Sequence, residues 1–136
     1  MGTYWELVAT AAARDPDRMV LSDDHGRSLT ARGLQDAACA TAAAFAERGV
    51  GAGAVVSWQL PTTLETMVVM AALTRLGAVQ NPIIPILRER EVGFITAQSG
   101  TEFLLVPETW RGYGHGALAR SLATAGGFKT RRGSRM

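Results

Sequence analysis

Two stretches of this chain space their glycines as a phosphate-binding turn would, because a turn without side chains lets backbone amides approach a pyrophosphate at a helix start. The first is GVGAGA at 49–54. It follows a helical pattern and precedes a strand pattern, the reverse of the order such a turn needs, so it reads as a helix cap and connector. The second is GYGHGA at 112–117. It does lie between a strand and a helix, but residues 107–111 intervene, and no acidic residue follows Glu108 to hold a ribose hydroxyl.

The remaining reactive side chains are scattered. His25 falls in a polar turn and His115 in the glycine-rich stretch, each without a partner fixed by spacing, so neither is assigned acid-base or metal work. Cys39 stands among alanines within a helical run and reads as a small packed residue rather than a nucleophile. Asp23 and Asp24 are adjacent carboxylates in a turn, with no third ligand near in sequence to make a cation site. Met67 and Met70 read as core filling. No residue receives a catalytic, cofactor-binding or metal role on these grounds.

The elements that must position these groups follow from periodicity and punctuation. Thr3 and Glu6 form a capping-box pair, so a first helix should run to about residue 14, where Asp15-Pro16 stops it. Residues 19–22 and 27–29 read as a small hairpin about the turn 23–26. Thr30 can cap a second helix to about residue 48, with Gly49 as its left-handed end. Its seven alanines between 37 and 46 let neighbours approach closely, and a sheet is the expected neighbour.

From residue 54 the order becomes strand 54–60, helix 63–76, strand 78–84, helix 88–99, strand 103–106 and helix 117–125. That alternation predicts a parallel sheet. A second capping box is expected at Thr62 and Glu65, and the apolar residues around the third helix predict its burial. Residues 61–63 would then lie at the carboxyl edge of the sheet, where α/β proteins bind ligands, though that alone does not make a site.

A chain of 136 residues, 47% hydrophobic and 19% charged, can bury a core and has the size of one domain. The net charge of +2 belongs to the end of the chain, where Lys129, Arg131, Arg132 and Arg135 stand in the last eight positions. Without those eight, ten basic residues face twelve acidic ones, so no nucleic-acid partner is expected. One cysteine fits a reducing compartment, and the start of the chain lacks the pattern of a signal peptide. The apolar run 67–73 is far shorter than the roughly 20 residues of a membrane span. The expectation is a cytoplasmic protein with no membrane span.

Three places along the chain carry a family resemblance. SLTARGL at 28–34 resembles the L-T-Y-x-E-L segment near the start of adenylate-forming enzymes, with Ala31 and Gly33 in place of the usual Tyr and Glu. ALTRLGAVQNP at 72–82 resembles the family's helix ending in G-A before an N-P strand. VVSWQLP at 55–61 with Glu65, then NPIIP at 81–85 with REREV at 88–92, resemble the acyl-CoA ligase branch, most closely the cyclohexanecarboxylate and medium-chain type.

The resemblance implies an α/β fold: a partial N-terminal subdomain of an adenylate-forming ligase, with a layered parallel sheet, flanking helices and a small N-terminal β-hairpin. It would occupy residues 1–128, with 129–136 as a disordered basic tail. For the parent it implies activation of a carboxylic acid with ATP and Mg²⁺ to an acyl-adenylate, then transfer to coenzyme A. The family's P-K-G phosphate loop, aromatic-Thr-Glu segment, ribose-binding Asp and C-terminal Lys find no match in this sequence, so the chain is expected to hold none of these cofactors and to be inactive alone. The pattern stops after Phe128, and truncation or a frameshift relative to a longer parent is the expectation. Other roles remain open: a scaffold pairing with a companion ligase chain, self-association through an unpaired sheet edge, or a small Rossmann-like module using residues 112–117.

Overall fold

The computed structural model describes residues 2–126 and 129–132, the last strand by its backbone. The chain divides into two compact units, residues 1–53 with 62–78, and residues 54–61 with 79–136.

The first unit is built on helices. Helix α1 (Tyr4–Arg14) opens on the expected capping box, with Thr3 Oγ1 accepting from the Glu6 amide at 3.2 Å and Glu6 Oε2 from the Thr3 amide at 3.1 Å. Strands β1 (Met19–Ser22) and β2 (Ser28–Thr30) pair antiparallel as the hairpin. Helix α2 (Ala31–Glu47) is capped by Thr30, whose hydroxyl accepts from the Gly33 amide at 3.0 Å, and it ends before Gly49 at φ 95°.

Helix α3 (Leu64–Arg75) departs from the expected cap. Its N-cap is Thr63, which accepts from the Thr66 amide at 3.2 Å, so Glu65 falls one residue short of the capping-box position. Glu65 pairs instead with the guanidinium of Arg27 from the hairpin turn.

Residues Ala31, Leu34, Ala38, Ala42 and Phe45 recur every three or four positions and form the buried stripe of α2. The core of the unit joins Val8, Leu34, Ala38, Val68 and Ala71, with Trp5, Leu21 and Leu29 packed against it. Ala38 and Ala71 are wholly buried, which allows the helices to approach closely. In this unit the alanine-rich helix lies against α1, α3 and the hairpin strand β2. A stripe of alanines fits a neighbouring helix as readily as a sheet.

The second unit is the parallel sheet. Strands β3 (Val55–Trp58), β4 (Val79–Pro82), β5 (Phe103–Val106) and β6 (Lys129–Arg132) run in the order β4-β3-β5-β6, every pair parallel. Helices α4 (Glu89–Ser99) and α5 (His115–Gly126) complete it. The core joins Ile83, Val92, Leu104, Val106, Leu118 and Ala119. A polar network ties the strands: Asn81 Nδ2 donates to Ser57 Oγ at 3.0 Å, and the Thr101 hydroxyl lies 2.6 Å from that of Ser57 and 2.8 Å from that of Ser99.

Strand β6 corrects the expectation of a disordered tail after 128. Residues 129–132 pair along β5 from Phe103↔Lys129 to Val106↔Arg132, and residues 133–136 lie outside the described residues. Backbone pairing at an edge requires no apolar side chains, so a basic stretch with no hydrophobic period can still add a strand.

At the other edge, Val79 and Ile83 donate their amides to Ala54 and Trp58 of the β3 segment, both at 2.8 Å. By alternation, residues 80 and 82 face the open side of β4. Position 82 is proline, so it offers no N–H there.

Candidate functional site

The glycine-rich stretch of 112–117 is the place where the sequence came nearest to a nucleotide cradle, and its geometry is that of a turn and a closed helix start. Arg111 at φ 48° and Gly112 at φ 75° form a two-residue turn of left-handed residues. Trp110 and Tyr113 flank it and exchange both backbone hydrogen bonds at 3.0 Å. Helix α5 begins at His115. The Gly116 amide donates to the Glu108 carbonyl at 3.0 Å, and the Glu108 carboxylate lies so close to Gly116 that a Cβ there would collide with it.

Arg120 holds that carboxylate in a fork, Nη2 to Oε1 at 2.9 Å and Nη1 to Oε2 at 3.2 Å. The bond to Glu108 raises the Arg120 pKa against a smaller opposing effect of desolvation. The start of α5 therefore already carries an internal anion. A bound phosphate would have to displace the carboxylate or be repelled by it, so these residues do not fit a triphosphate.

His115 is fully buried and structural. Its Nε2 lies 2.9 Å from the Pro85 carbonyl oxygen and its Nδ1 3.3 Å from that of Tyr113, with the rings of Tyr113 and Trp110 set edge-on at 4.9 and 6.2 Å.

Gln59, just past β3, is also fully buried. Its Nε2 donates to the carbonyls of Ile84 at 3.0 Å and Leu87 at 2.9 Å. The other amide atom, Oε1, has no hydrogen-bond partner among the described residues.

The other candidates stay apart. His25 is exposed, 3.4 Å from the equally exposed Asp24. Asp23 closes the hairpin turn, its Oδ1 accepting from the amides of His25 at 2.9 Å and Arg27 at 2.8 Å, and its Oδ2 from Arg27 Nε at 2.7 Å. Its pKa is lowered: desolvation pushes upward, and the bonds from Arg27 and His25 together outweigh it. Glu65 is lowered chiefly by its bond to Arg27. Cys39 is a half-buried free thiol on α2. Gly53, from the first glycine run, has φ 79° and donates its amide to the Gly77 carbonyl at 2.9 Å, as a connector would. Among the described residues no three His, Cys, Asp or Glu side chains stand close enough to hold a metal ion.

The profile of the family described as AMP-binding enzyme matches residues 8–130. The chain belongs to the AMP-binding enzyme family. Among curated AMP-binding relatives, the medium-chain fatty-acid–CoA ligase of Escherichia coli is 29% identical over 111 residues, covering 82% of this chain and 19% of that protein. The sulfoacetate–CoA ligase of Cupriavidus necator is 32% identical over 125 residues, covering 91% and 24%. The chain thus spans about a fifth to a quarter of the length of these relatives.

Solved structures share its fold. That of Klebsiella oxytoca NpsA in complex with 3-hydroxyanthranilyl-AMSN gives a TM-score of 0.81 at 22% identity, over 98% of this chain and 25% of that one. A long-chain-fatty-acid CoA ligase from Rhodopseudomonas palustris, so described from its crystal structure, gives 0.82 at 20% identity, over 99% and 34%. The α/β arrangement is accordingly that of the N-terminal part of adenylate-forming enzymes, as the resemblance implied.

Proposed function

We propose that this chain is the opening segment of an acyl-CoA-ligase-type adenylate-forming enzyme and that it does not carry out adenylation by itself. The observation that carries this reading is the family match along residues 8–130 in a chain spanning only 19% to 24% of its relatives' length. The chemistry agrees. Adenylation needs cations and preorganised donors where phosphate charge develops. The one lysine of the chain, Lys129, follows Phe128 rather than standing in a P-K-G turn. The helix start with the best sequence for an anion is filled by Glu108.

ATP, Mg²⁺ and coenzyme A belong in this reading to the parent enzyme. Fatty-acid activation is the branch we favour, supported by the relative in Escherichia coli. A companion ligase chain is the partner we favour over self-association through β4, because Pro82 removes a donor from that edge. We favour a cytoplasmic location, with which the single Cys39 is compatible, and recovery of the chain in a washed membrane fraction would contradict it.

The direct test is pyrophosphate release by the purified chain given ATP, Mg²⁺ and a panel of carboxylic acids including octanoate, benzoate and sulfoacetate. No release above the protein-free control is expected. Release that depends on the acid would overturn the reading.

A further inference from the structure

The two edges of the parallel sheet differ in what they offer a further strand. In the order β4-β3-β5-β6, strand β4 stands at one end and β6 at the other, and among the described residues no strand lies beyond β6. Strand β4 carries Pro82 within its pairing register, opposite Trp58, so its open side lacks a donor at that position. Strand β6 holds no proline. Its residues pair one for one with β5, from Phe103↔Lys129 to Val106↔Arg132. Along a parallel strand the backbone groups of successive residues point to alternate sides, so every second residue of β6 directs its N–H and C=O away from β5. One edge of the sheet is blunted and the other is left able to pair.

The charge of β6 selects what can pair there. Lys129, Arg131 and Arg132 are three of the four residues of the strand. The whole chain has fourteen basic and twelve acidic residues, so without these three the count is eleven against twelve. The positive excess is therefore concentrated in this one edge strand. Like charges across a strand pair repel, so a second copy of β6 is a poor partner. Opposite charges attract, and a strand seated at the usual spacing of about 4.8 Å brings its carboxylates well within the screening length of about 8 Å.

We propose that the open edge of β6 accepts an extended acidic segment of another polypeptide as a further strand of the sheet. Main-chain hydrogen bonds would hold it, and Lys129, Arg131 and Arg132 would select it by charge. The docking edge is independent of the function proposed above and needs only the folded sheet.

The test is fluorescence anisotropy of the full chain with three short labelled peptides: alternating Glu-Val, alternating Gln-Val, and the Glu-Val sequence N-methylated at every amide. The N-methylated peptide keeps the charge but has no donors for a ladder. The unaltered chain is expected to bind the Glu-Val peptide at least tenfold more tightly than either of the others. The charge-reversed variant K129E/R131E/R132E should lose that peptide, gain an alternating Lys-Val peptide, and keep the thermal transition of the parent. Equal binding of the N-methylated peptide would mean that charge alone attracts it. No binding of the Glu-Val peptide would mean that the cationic strand only guards the edge, and unchanged preference after charge reversal would place the peptide elsewhere. Any of these three results overturns the proposal.

Discussion

At the scale of single residues, the groups that matter most are polar side chains whose partners lie far away in sequence. Gln59 reaches Ile84 and Leu87, and Arg27 reaches Glu65 across 38 positions. Replacing Gln59 by Leu keeps its size but strands two carbonyls near the core, and should destabilise the chain by about 1–3 kcal/mol in urea unfolding. A loss below about 0.5 kcal/mol, within the usual noise of neutral surface changes, would show that the clamp is dispensable. The Arg27 pairings predict an acid dependence. The carboxyls of Asp23 and Glu65 have lowered folded-state pKa values, so their contribution is present above their ordinary values of 3.8 and 4.5. It fades as pH falls through the lowered values. Arg27→Ala should therefore lower the melting temperature at pH 7 by a few degrees and barely change it at pH 2; an equal loss at both would contradict the ion-pair account. The partnerships of Gln59 with Ile84 and Leu87, and of Arg27 with Glu65, could not be read from sequence, because spacing shows only neighbours within a turn or two. His25 is exposed and Cys39 half-buried, and neither carries a partner pattern in the sequence.

At the scale of elements, local signals worked where the physics is local. Thr3 with Glu6 and Thr30 with Gly33 are caps completed within one turn, and both were legible. The boundary of α3 slipped by one residue because Thr62 and Thr63 compete for the cap and only tertiary pairing of Glu65 decides between them. The helical neighbours α1 and α3 of α2 were not legible, because small residues specify closeness and not what comes close. That closeness predicts a strict volume limit: Ala38→Leu should overpack the contact with α3 and cost about 1–3 kcal/mol, measured by thermal or urea unfolding. An unchanged stability would mean that the helices can separate without loss. The glycine stretch before α5 needed the position of Glu108 to be understood, since sequence shows a glycine at 116 but not what fills the space beside it. Strand β6 was illegible for a different reason: an edge strand can be held by backbone bonds alone.

At the scale of the whole molecule, the family and the parallel sheet were readable because they rest on the order of many weak signals over residues 8–130 rather than on any one of them. The same breadth lets the chain share part of a fold with much longer proteins, and on the proposed reading the short segments that carry their chemistry fall outside it. Strands and crossover helices are spread along the sequence, while the phosphate loop and catalytic lysine implied by the family each occupy one short segment found nowhere in these 136 residues. The measurement that tests this most directly is ATP–pyrophosphate isotope exchange with the isolated chain, Mg²⁺ and a saturating mixture of aliphatic and aromatic acids. The account predicts exchange equal to the protein-free blank from a sample with a cooperative unfolding transition. Acid-dependent exchange from that same sample would mean that the chain holds a complete adenylation site.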